Sequence, residues 1–319
     1  MQYKKISNTD LLVSSISLGS ALFGSTIDKK DAFELMDIFL TQGGNFLDTA
    51  HIYADWLPVE KSISEKTIGE WMKLRKNRGN LIIGTKGAHP SFSHMKIPRL
   101  SKEEVTSDVE GSLNALKTDY IDLYWLHRDD ENRPVGEILE YLNELVKSGK
   151  ILSFGCSNWK ANRIVEALEY ANKNTLKSFV GNQNMWSYAT PNVENIQDET
   201  LVVMDEETKA MHLKYGMAAI PFSSQANGFF TKLNLNNLTE QDKKLYYNNE
   251  NIARFKRAKK VAETFRVNIS EVVLGYLISQ PFVTIPVVGC RTKKQLEDSL
   301  KASDLKFSKA TMNYLETVS

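Results

Sequence analysis

Short apolar runs alternate along the chain with longer segments whose apolar residues recur at helical spacing. Each short run is bounded by turn-forming residues, which is typical of a buried strand in a parallel sheet. The longer segments have the period of an amphipathic helix, as in Phe33, Met36 and Leu40. The runs predict eight strands, at 15–18, 45–47, 81–85, 120–126, 151–154, 178–182, 217–220 and 283–287.

Two predicted helices carry signals that mark where they begin. Ser101 with Glu104, and Asn268 with Glu271, have the spacing of a capping box, in which side chains accept hydrogen bonds from the first backbone amides. The interval 222–282 is too long for one helix, and its polar stretch 234–251 predicts a loop insertion. We predict no strand before residue 15.

The alternation of strands and helices predicts an α/β fold, and the number of strands favours a (β/α)8 TIM barrel. A doubly wound sheet is the competing architecture. It needs a G-x-G-x-x-G phosphate loop after the first strand, and residues 18–24 lack that spacing. No linker-like or low-complexity block divides the chain, so we expect residues 1–319 to form a single domain.

The composition argues against several classes of protein. Forty basic and 39 acidic residues leave a formal net charge of +1, which disfavours nucleic acid or a charged membrane surface as a partner. The N-terminus lacks the apolar stretch of a signal peptide, and no apolar run approaches the roughly 20 residues that span a bilayer. With only Cys156 and Cys290, a cytoplasmic location is expected. The oligomeric state stays open.

Four polar side chains stand at or just beyond predicted strands. Asp48, Lys86 and His127 follow the second, third and fourth strands, and Tyr53 lies in the loop that begins after Asp48. The carboxyl ends of barrel strands hold the chemistry of such folds. We therefore predict that Asp48, Tyr53, Lys86 and His127 form a catalytic site.

These four groups suit the protonation of an alkoxide as it forms from a carbonyl. A phenol with a pKa of roughly 10 is a poor acid at neutral pH unless a positive neighbour stabilises its phenolate. Lys86 can be that neighbour, with Asp48 keeping the ammonium charged, and His127 can donate a hydrogen bond to the carbonyl oxygen. Tyr53 is then the general acid. None of the four can deliver a hydride, so a nicotinamide cofactor is required.

The stretch Asn-Phe-Leu-Asp-Thr-Ala-His-Ile-Tyr at 45–53, with Lys86 and His127, resembles the aldo-keto reductase family. Similar stretches at 64–69, 155–158 and 228–232, together with Gln183, extend the resemblance over nearly the whole chain. It implies an oxidoreductase that uses a nicotinamide dinucleotide to reduce a small-molecule aldehyde or ketone to an alcohol. It also implies a dinucleotide bound in extended form without a Rossmann domain.

The resemblance further implies where the cofactor is held. It assigns the carboxamide to Ser157, Asn158 and Gln183, the nicotinamide face to Phe222, the pyrophosphate to Ser223 and Gln225, and the adenosine end to Gln295, Asp298 and Ser299.

The residues after the last predicted strand favour a phosphate site. Gly289 leads into a helix start that Thr292 and Gln295 can cap, and such an end attracts phosphate. Arg291 can add a bidentate grip on a 2′-phosphate. NADPH (NADP+) is therefore favoured, with NADH as the alternative.

Other interpretations of the chain stay open. One is a nicotinamide-dinucleotide-binding regulatory or redox-sensing subunit with little turnover. Another is a metal-dependent barrel hydrolase built on His127 and the acidic run 129–131, although no metal is expected because no second histidine shares that spacing. His89 and His94 can line the substrate site or simply be exposed. Trp56, Trp125 and Trp186 are candidates for an aromatic pocket or for the core.

Overall fold

The chain forms a short antiparallel hairpin followed by a curved sheet of eight parallel strands in the computed structural model, which describes residues 1–317. The hairpin consists of β1 (Tyr3–Lys5) and β2 (Leu12–Ser14). The parallel strands are β3 (Ser17–Gly19), β4 (Phe46–Asp48), β5 (Ile82–Gly87), β6 (Ile121–Leu126), β7 (Ile151–Ser157), β8 (Gly181–Gln183), β9 (Ala218–Ala219) and β10 (Val287–Gly289).

The strands are hydrogen-bonded in the order β10, β3, β4, β5, β6, β7, β8 and β9. Consecutive strands are therefore neighbours in the sheet, apart from β10, which pairs with β3. The segment just before β10 also reaches β9, because Ala219 forms a parallel bridge with Thr284 and its carbonyl oxygen accepts from Ile285 N at 2.8 Å. The predicted α/β fold with eight parallel strands is confirmed.

The last strand begins later than predicted. A strand over 283–287 is wrong as a regular element, since continuous pairing with β3 runs only from Val287 to Gly289. Pro286 has no amide hydrogen to donate to a neighbouring strand, so regular pairing begins after it. Each of the other predicted strands overlaps an observed one.

Helices follow the strands and pack their apolar side chains against the sheet. Residues 1–317 contain no helix that combines the length and the apolar character needed to cross a bilayer. The helices are α1 (Lys29–Thr41), α2 (Ile63–Arg75), α3 (Lys102–Leu116), α4 (Val135–Lys147), α5 (Ala161–Asn174), α6 (Glu206–Tyr215), α7 (Phe229–Asn234), α8 (Glu240–Tyr246), α9 (Asn249–Phe265), α10 (Ile269–Ile278), α11 (Lys293–Leu300) and α12 (Lys309–Glu316).

Both predicted helix starts are present. Ser101 caps α3 with a capping box that includes Glu104. Asn268 precedes α10, and its backbone amide donates to Glu271 Oε1 at 3.0 Å. These local hydrogen bonds satisfy amides that have no partner within the helix.

The predicted loop insertion at 234–251 is wrong, because most of this stretch is helical. Thr239 and Asp242 form a capping box at the start of α8, and Asn248 caps α9 by accepting from Asn251 N. Capping residues are themselves polar, so high polarity hid two helix starts.

The N-terminal hairpin was not predicted. Each strand is only three residues long; β1 is largely polar, and the apolar run at β2 is too short to predict a strand. Nevertheless Ile6, Leu11 and Val13 belong to the apolar cluster inside the curved sheet. The hairpin therefore covers one end of that interior.

Trp125 fills the interior of the sheet. On β6, Leu123 and Trp125 belong to the interior cluster, whereas Tyr124 and Leu126 pack with the helices. A strand buried on both faces has a mostly apolar sequence, which is why β6 was predictable despite Asp122. A Cβ atom on Gly155 would lie 2.4 Å from the Trp125 ring and 2.6 Å from the carbonyl oxygen of Gly181, so this large ring needs a glycine beside it.

We expect the Gly155→Ala substitution to lower the free energy of unfolding by about 1–3 kcal/mol, because the added methyl group overpacks a rigid interior. Urea unfolding followed by circular dichroism measures the change. Gly79→Ala is the matched control, since a Cβ atom there meets no atom within 4 Å. Equal stability of the two variants would contradict the proposed packing constraint.

Candidate active site

Lys86 lies at the centre of the site, and its ammonium group uses all three of its hydrogens. Nζ donates to Asp48 Oδ2 at 2.5 Å, to the carbonyl oxygen of Thr49 at 2.7 Å and to Tyr53 Oη at 3.0 Å. Lys86 and Asp48 are each only 1% exposed. The structure thus brings three of the four predicted catalytic residues into direct contact.

Asp48 balances the charge of this buried ammonium. Its second oxygen, Oδ1, accepts from Gln183 Nε2 at 2.6 Å. Burial by itself lowers the pKa of Lys86, but Asp48 and Tyr53 act in the opposite direction and hold it above its ordinary value. Lys86 is therefore charged at neutral pH.

Sheet register places these groups together. Asp48 ends β4 opposite Gly84, and Lys86 lies two residues further along β5. The chain after β4 continues along β5, because Thr49 N donates to the Gly84 carbonyl oxygen at 2.8 Å and His51 N to that of Lys86 at 2.9 Å. This path delivers Tyr53 to the end of β5.

A buried carboxylate, that of Glu65, contacts the loop that carries Tyr53. Glu65 on α2 is 0% exposed. Its Oε1 accepts from Thr85 Oγ1 at 2.6 Å, and its Oε2 lies 3.1 Å from His51 Nδ1. Glu65 therefore ties α2 to both β5 and the loop that carries Tyr53.

Tyr53 is half-buried, and its pKa is shifted upward. Burial raises the pKa of the phenol, while the ammonium of Lys86 lowers it to a smaller extent. The sequence predicted only the effect of Lys86, because the burial of Tyr53 depends on the tertiary structure. Tyr53 is consequently protonated at neutral pH, and its oxygen already accepts from Lys86, so the phenolic hydrogen is available to another acceptor.

His127 follows β6 and is kept neutral. Burial, together with the positive charge of Arg128, holds its pKa well below the ordinary value. The ring centroids of His127 and Tyr53 are 6.1 Å apart, and no described residue forms a hydrogen bond with His127 Nδ1. The imidazole therefore stands beside the phenol without being bonded to it.

Five aromatic rings, those of Tyr53, Trp56, Phe92, His89 and His127, form a closed circuit of neighbouring rings, which we call the aromatic rim. The centroid separations are 6.5 Å for Tyr53 and Trp56, 6.1 Å for Trp56 and Phe92, 5.3 Å for Phe92 and His89, and 4.8 Å for His89 and His127. The contact of His127 with Tyr53 completes the circuit. Trp56 and Phe92 are 48% and 44% exposed, so the rim opens to solvent on their side.

The two other candidate tryptophans lie elsewhere. Trp125 is fully buried in the sheet interior, and Trp186 stacks on Phe282 with centroids 6.0 Å apart. His94 is exposed, whereas His89 is buried in the rim. Phe92 and Arg128 were not predicted from the sequence; the position of Arg128 directly after His127 was the available signal.

The predicted carboxamide residues cluster beside Asp48. Ser157 Oγ donates to the Gln183 carbonyl oxygen at 2.8 Å, and Asn158 Nδ2 lies 3.1 Å from Ser157 Oγ. Asn158 is further engaged, since its Oδ1 accepts from Val202 N. Gln183 Oε1 is buried without a hydrogen-bond partner among the described residues. This orphaned acceptor fits an amide N–H donor such as a carboxamide.

Most of the residues assigned to the adenosine end also meet. Gln225 Nε2 donates to Ser299 Oγ at 3.2 Å, Ser299 Oγ donates to the Gln295 carbonyl oxygen at 2.8 Å, and Gln295 Oε1 accepts from Arg291 N at 2.8 Å. Asp298 instead binds two lysines of its own segment, Lys294 and Lys301, which hold its pKa below the ordinary range.

The other residues assigned to the cofactor lie at the end of β10 and in the segments that follow β9 and β10. Thr292 caps α11 by accepting from Gln295 N, and no described residue forms an ion pair with the exposed guanidinium of Arg291. Gly289 ends β10, whereas Phe222 and Ser223 follow β9 and are half-buried. Residues 218–225 and 287–299 lie side by side, because Val287 N donates to the Pro221 carbonyl oxygen at 3.0 Å and Gln225 contacts Ser299.

The acidic run after His127 is engaged in ion pairing. Asp129 Oδ2 accepts from Arg163 Nε at 3.1 Å. Within residues 1–317, no group of three or more His, Cys, Asp and Glu side chains has an arrangement that could hold a metal ion.

A family model described as "Aldo/keto reductase family" matches residues 15–319 of the chain. The chain belongs to the aldo/keto reductase family. The resemblance inferred from the motifs at 45–53, 64–69 and 155–158 is therefore confirmed.

Relatives within the aldo/keto reductase family match over almost the full chain. Norsolorinic acid reductase B of Dothistroma septosporum is 29% identical, over 99% of this chain and 81% of its own length. An uncharacterized oxidoreductase of Bacillus subtilis, YrpG, is 29% identical over 100% and 96%. An aryl-alcohol dehydrogenase [NADP(+)] of Phanerodontia chrysosporium is 28% identical over 96% and 82%.

We expect His89 to make this aldo/keto reductase less stable in acid. Burial lowers the pKa of His89 to about 4, whereas histidine in an unfolded chain titrates near 6.5. Between these values the unfolded state binds a proton that folded His89 does not, so stability falls as the pH is lowered through this window, by up to about 3 kcal/mol. His89→Leu should shrink the difference in unfolding free energy between pH 7 and pH 4.5.

Urea unfolding at the two pH values provides the measurement. His94→Leu, at an exposed position of the same loop, is the control and should keep the wild-type difference. An identical pH dependence in the wild type and His89→Leu would refute the assignment.

Proposed function

We propose that this protein is an NADPH-dependent oxidoreductase that reduces an aldehyde or ketone to an alcohol, with Tyr53 as the general acid. The observation that carries the proposal is the hydrogen bond from Lys86 Nζ to Tyr53 Oη at 3.0 Å within the buried cluster of Lys86 and Asp48. Small-molecule carbonyls are accordingly the proposed substrates.

Tyr53 is suited to give up a proton to a developing alkoxide. Burial keeps the phenol protonated at rest, and Lys86 stands ready to stabilise the phenolate after the transfer. The charge forms beside a fixed ammonium that needs no rearrangement. Asp48 and the Thr49 carbonyl oxygen hold that ammonium in place.

His127 is proposed to orient the carbonyl. As a neutral imidazole it carries one N–H donor, and it lies against Tyr53 in the aromatic rim. A carbonyl oxygen between the phenol and the imidazole would accept from both. This geometry aligns the oxygen with the acid before the proton moves.

A nicotinamide cofactor fits the residues next to this cluster, and when bound it supplies the hydride. Gln183 Oε1 offers an unpaired acceptor to the carboxamide, with Ser157 and Asn158 beside it. The amino end of α11, with the exposed Arg291 preceding it, suits phosphate. We propose NADPH as the preferred form because Arg291 can grip a 2′-phosphate in bidentate fashion.

The proposal includes a closed (β/α)8 barrel formed as one domain over residues 1–319. The hydrogen bonds of Ala219 with the segment before β10 support closure, because they join the two ends of the strand order. The free, buried cysteines Cys156 and Cys290 fit a reducing compartment, so the cytoplasm is the proposed location.

The aromatic rim supports an aryl or other flat apolar carbonyl as substrate. Trp56 and Phe92 present exposed ring surface next to Tyr53, and rings of this kind stack on or meet the edges of aromatic ligands. The names of two relatives, norsolorinic acid reductase and aryl-alcohol dehydrogenase, agree with this class. They lend no support to the regulatory-subunit alternative.

Oxidation of NADPH with a panel of aryl and short aliphatic aldehydes tests the proposal. We expect Tyr53→Phe to lower kcat by at least about 100-fold, because the proton donor is lost, while cofactor binding followed by fluorescence stays close to wild type. If Tyr53→Phe turns over as fast as the wild-type protein, Tyr53 is not the acid. If the wild-type protein reduces none of the carbonyls, the proposed function is wrong.

We expect Arg291→Met to weaken NADPH binding by roughly tenfold or more, the range of a charge-assisted contact with phosphate. NADH lacks the 2′-phosphate, so its affinity should change by less than about twofold. Fluorescence titration with both cofactors measures the two constants, and NADH serves as the internal control. An equal loss for both cofactors would argue against a 2′-phosphate contact.

A further inference from the structure

A partly buried ion pair holds the segment between β8 and α6 against the end of β6. Arg128 Nη2 lies 2.9 Å from Asp198 Oδ2, although the two residues are 70 positions apart in the chain. The Arg128 side chain is 8% exposed and that of Asp198 is 29% exposed. The Arg128 guanidinium is thus the buried partner, and Asp198 is its counterion.

The guanidinium of Arg128 also makes two further contacts. Nε donates to Thr200 Oγ1 at 2.6 Å, and Nη1 donates to the carbonyl oxygen of His127 at 2.8 Å. Asp198 and Thr200 are themselves joined, since Asp198 Oδ1 accepts from Thr200 N at 2.9 Å. One planar group therefore connects residues 198–200 to the backbone of His127.

Asn158 makes a second connection between the same two places. Its Nδ2 donates to the His127 carbonyl oxygen at 3.3 Å, and its Oδ1 accepts from Val202 N at 3.1 Å. The carbonyl oxygen of His127 thus accepts from two side chains, and each of them also binds the segment 198–202. The backbone amide of His127 is held by β5, since it donates to the Gly87 carbonyl oxygen at 2.9 Å, whereas the His127 carbonyl oxygen is held by these two side chains.

We propose that Arg128 is a positioning residue that uses its contacts with Asp198, Thr200 and the His127 carbonyl to set the place of the His127 imidazole. The inference rests on the proposed carbonyl reduction, in which His127 orients the substrate. It assigns a task in that reaction to a buried cation outside the predicted four residues. It also assigns the segment 198–202 the role of a support for the site.

The charge of Arg128 adds to this effect. The charged and titratable groups around His127 are Tyr53 from the loop after β4, Lys86 from β5, His89 from the loop after β5 and Arg128 itself. The Arg128 guanidinium lowers the pKa of both His127 and His89. Asp198 offsets part of that charge. Loss of the guanidinium should therefore raise the pKa of His127.

Lysine cannot reproduce the contacts of Arg128. A guanidinium is planar and directs separate N–H groups to several acceptors, whereas an ammonium is a point charge on a flexible chain. Arg128→Lys therefore keeps the positive charge and loses the geometry, and Arg128→Met loses both. Comparing the two variants separates positioning from electrostatics.

We expect Arg128→Lys to lower kcat by about 10- to 100-fold, the range for a misplaced group, with a smaller change in KM. The acid limb of its kcat/KM profile should stay in place, whereas in Arg128→Met it should move to higher pH. Two readouts do not depend on turnover. Hydrogen exchange at residues 198–202 should be faster in both variants, and NMR of labelled histidine should show the His127 titration moved upward in Arg128→Met.

Two further variants complete the design. Arg163→Lys is the matched control, because the Arg163 side chain is as buried as that of Arg128, pairs with Asp129 and has no contact with His127. It should leave kcat and exchange at 198–202 unchanged. Asp198→Asn retains Arg128 and its charge, so it tests the connection if the Arg128 variants do not fold; exchange at 198–202 should again be faster.

Wild-type kcat and wild-type exchange in Arg128→Lys, or in Asp198→Asn if the Arg128 variants do not fold, would overturn the proposal. Should the wild-type protein reduce no carbonyl, the proposed function fails by itself. The exchange and NMR measurements then still decide whether Arg128 positions His127.

Discussion

The site depends on keeping one ammonium group charged inside the protein. Removing an amine from water disfavours its charged form unless a counterion and hydrogen-bond acceptors replace the lost hydration. Asp48, the Thr49 carbonyl oxygen and Tyr53 Oη together provide three acceptors at 2.5–3.0 Å from Lys86 Nζ. Much of the local architecture can be understood as the means by which these acceptors are held in place.

The acceptors around Lys86 are held by the strands of the sheet and by a loop that is fixed to those strands. Register between β4 and β5 aligns Asp48 with Lys86, and Glu65 fixes the loop that carries Tyr53. The interior beneath is filled by Trp125, while the exposed rings of Trp56 and Phe92 belong to loops. Asp48 and Lys86 thus lie on strands, Tyr53 lies on a loop that is fixed to them, and the surface that meets solvent lies on segments that can vary without disturbing these groups.

The elements that were predicted correctly share a physical reason. Strands such as β6 are buried on both faces, so their sequences are mostly apolar; in β6 the exception is Asp122, which pairs with Arg78. The hairpin of β1 and β2 was missed because its strands are short and partly polar, and α8 was missed because Thr239 and Asp242 cap it with polar side chains. Pro286 shifted the start of β10 by withholding an amide hydrogen. The pattern of apolar residues along a sequence predicts burial well, but it predicts helix capping and strand pairing only indirectly.

The sequence by itself determined which chemical groups are available and in which order the strands present them, and this was enough to identify the family. It could not determine that burial outweighs Lys86 in shifting the pKa of Tyr53 upward, nor that His89 and Phe92 close a circuit of rings with His127. It also gave no sign that Asp198 would meet Arg128. Desolvation and contacts between distant segments exist only once the chain has folded, so only the tertiary structure decided them.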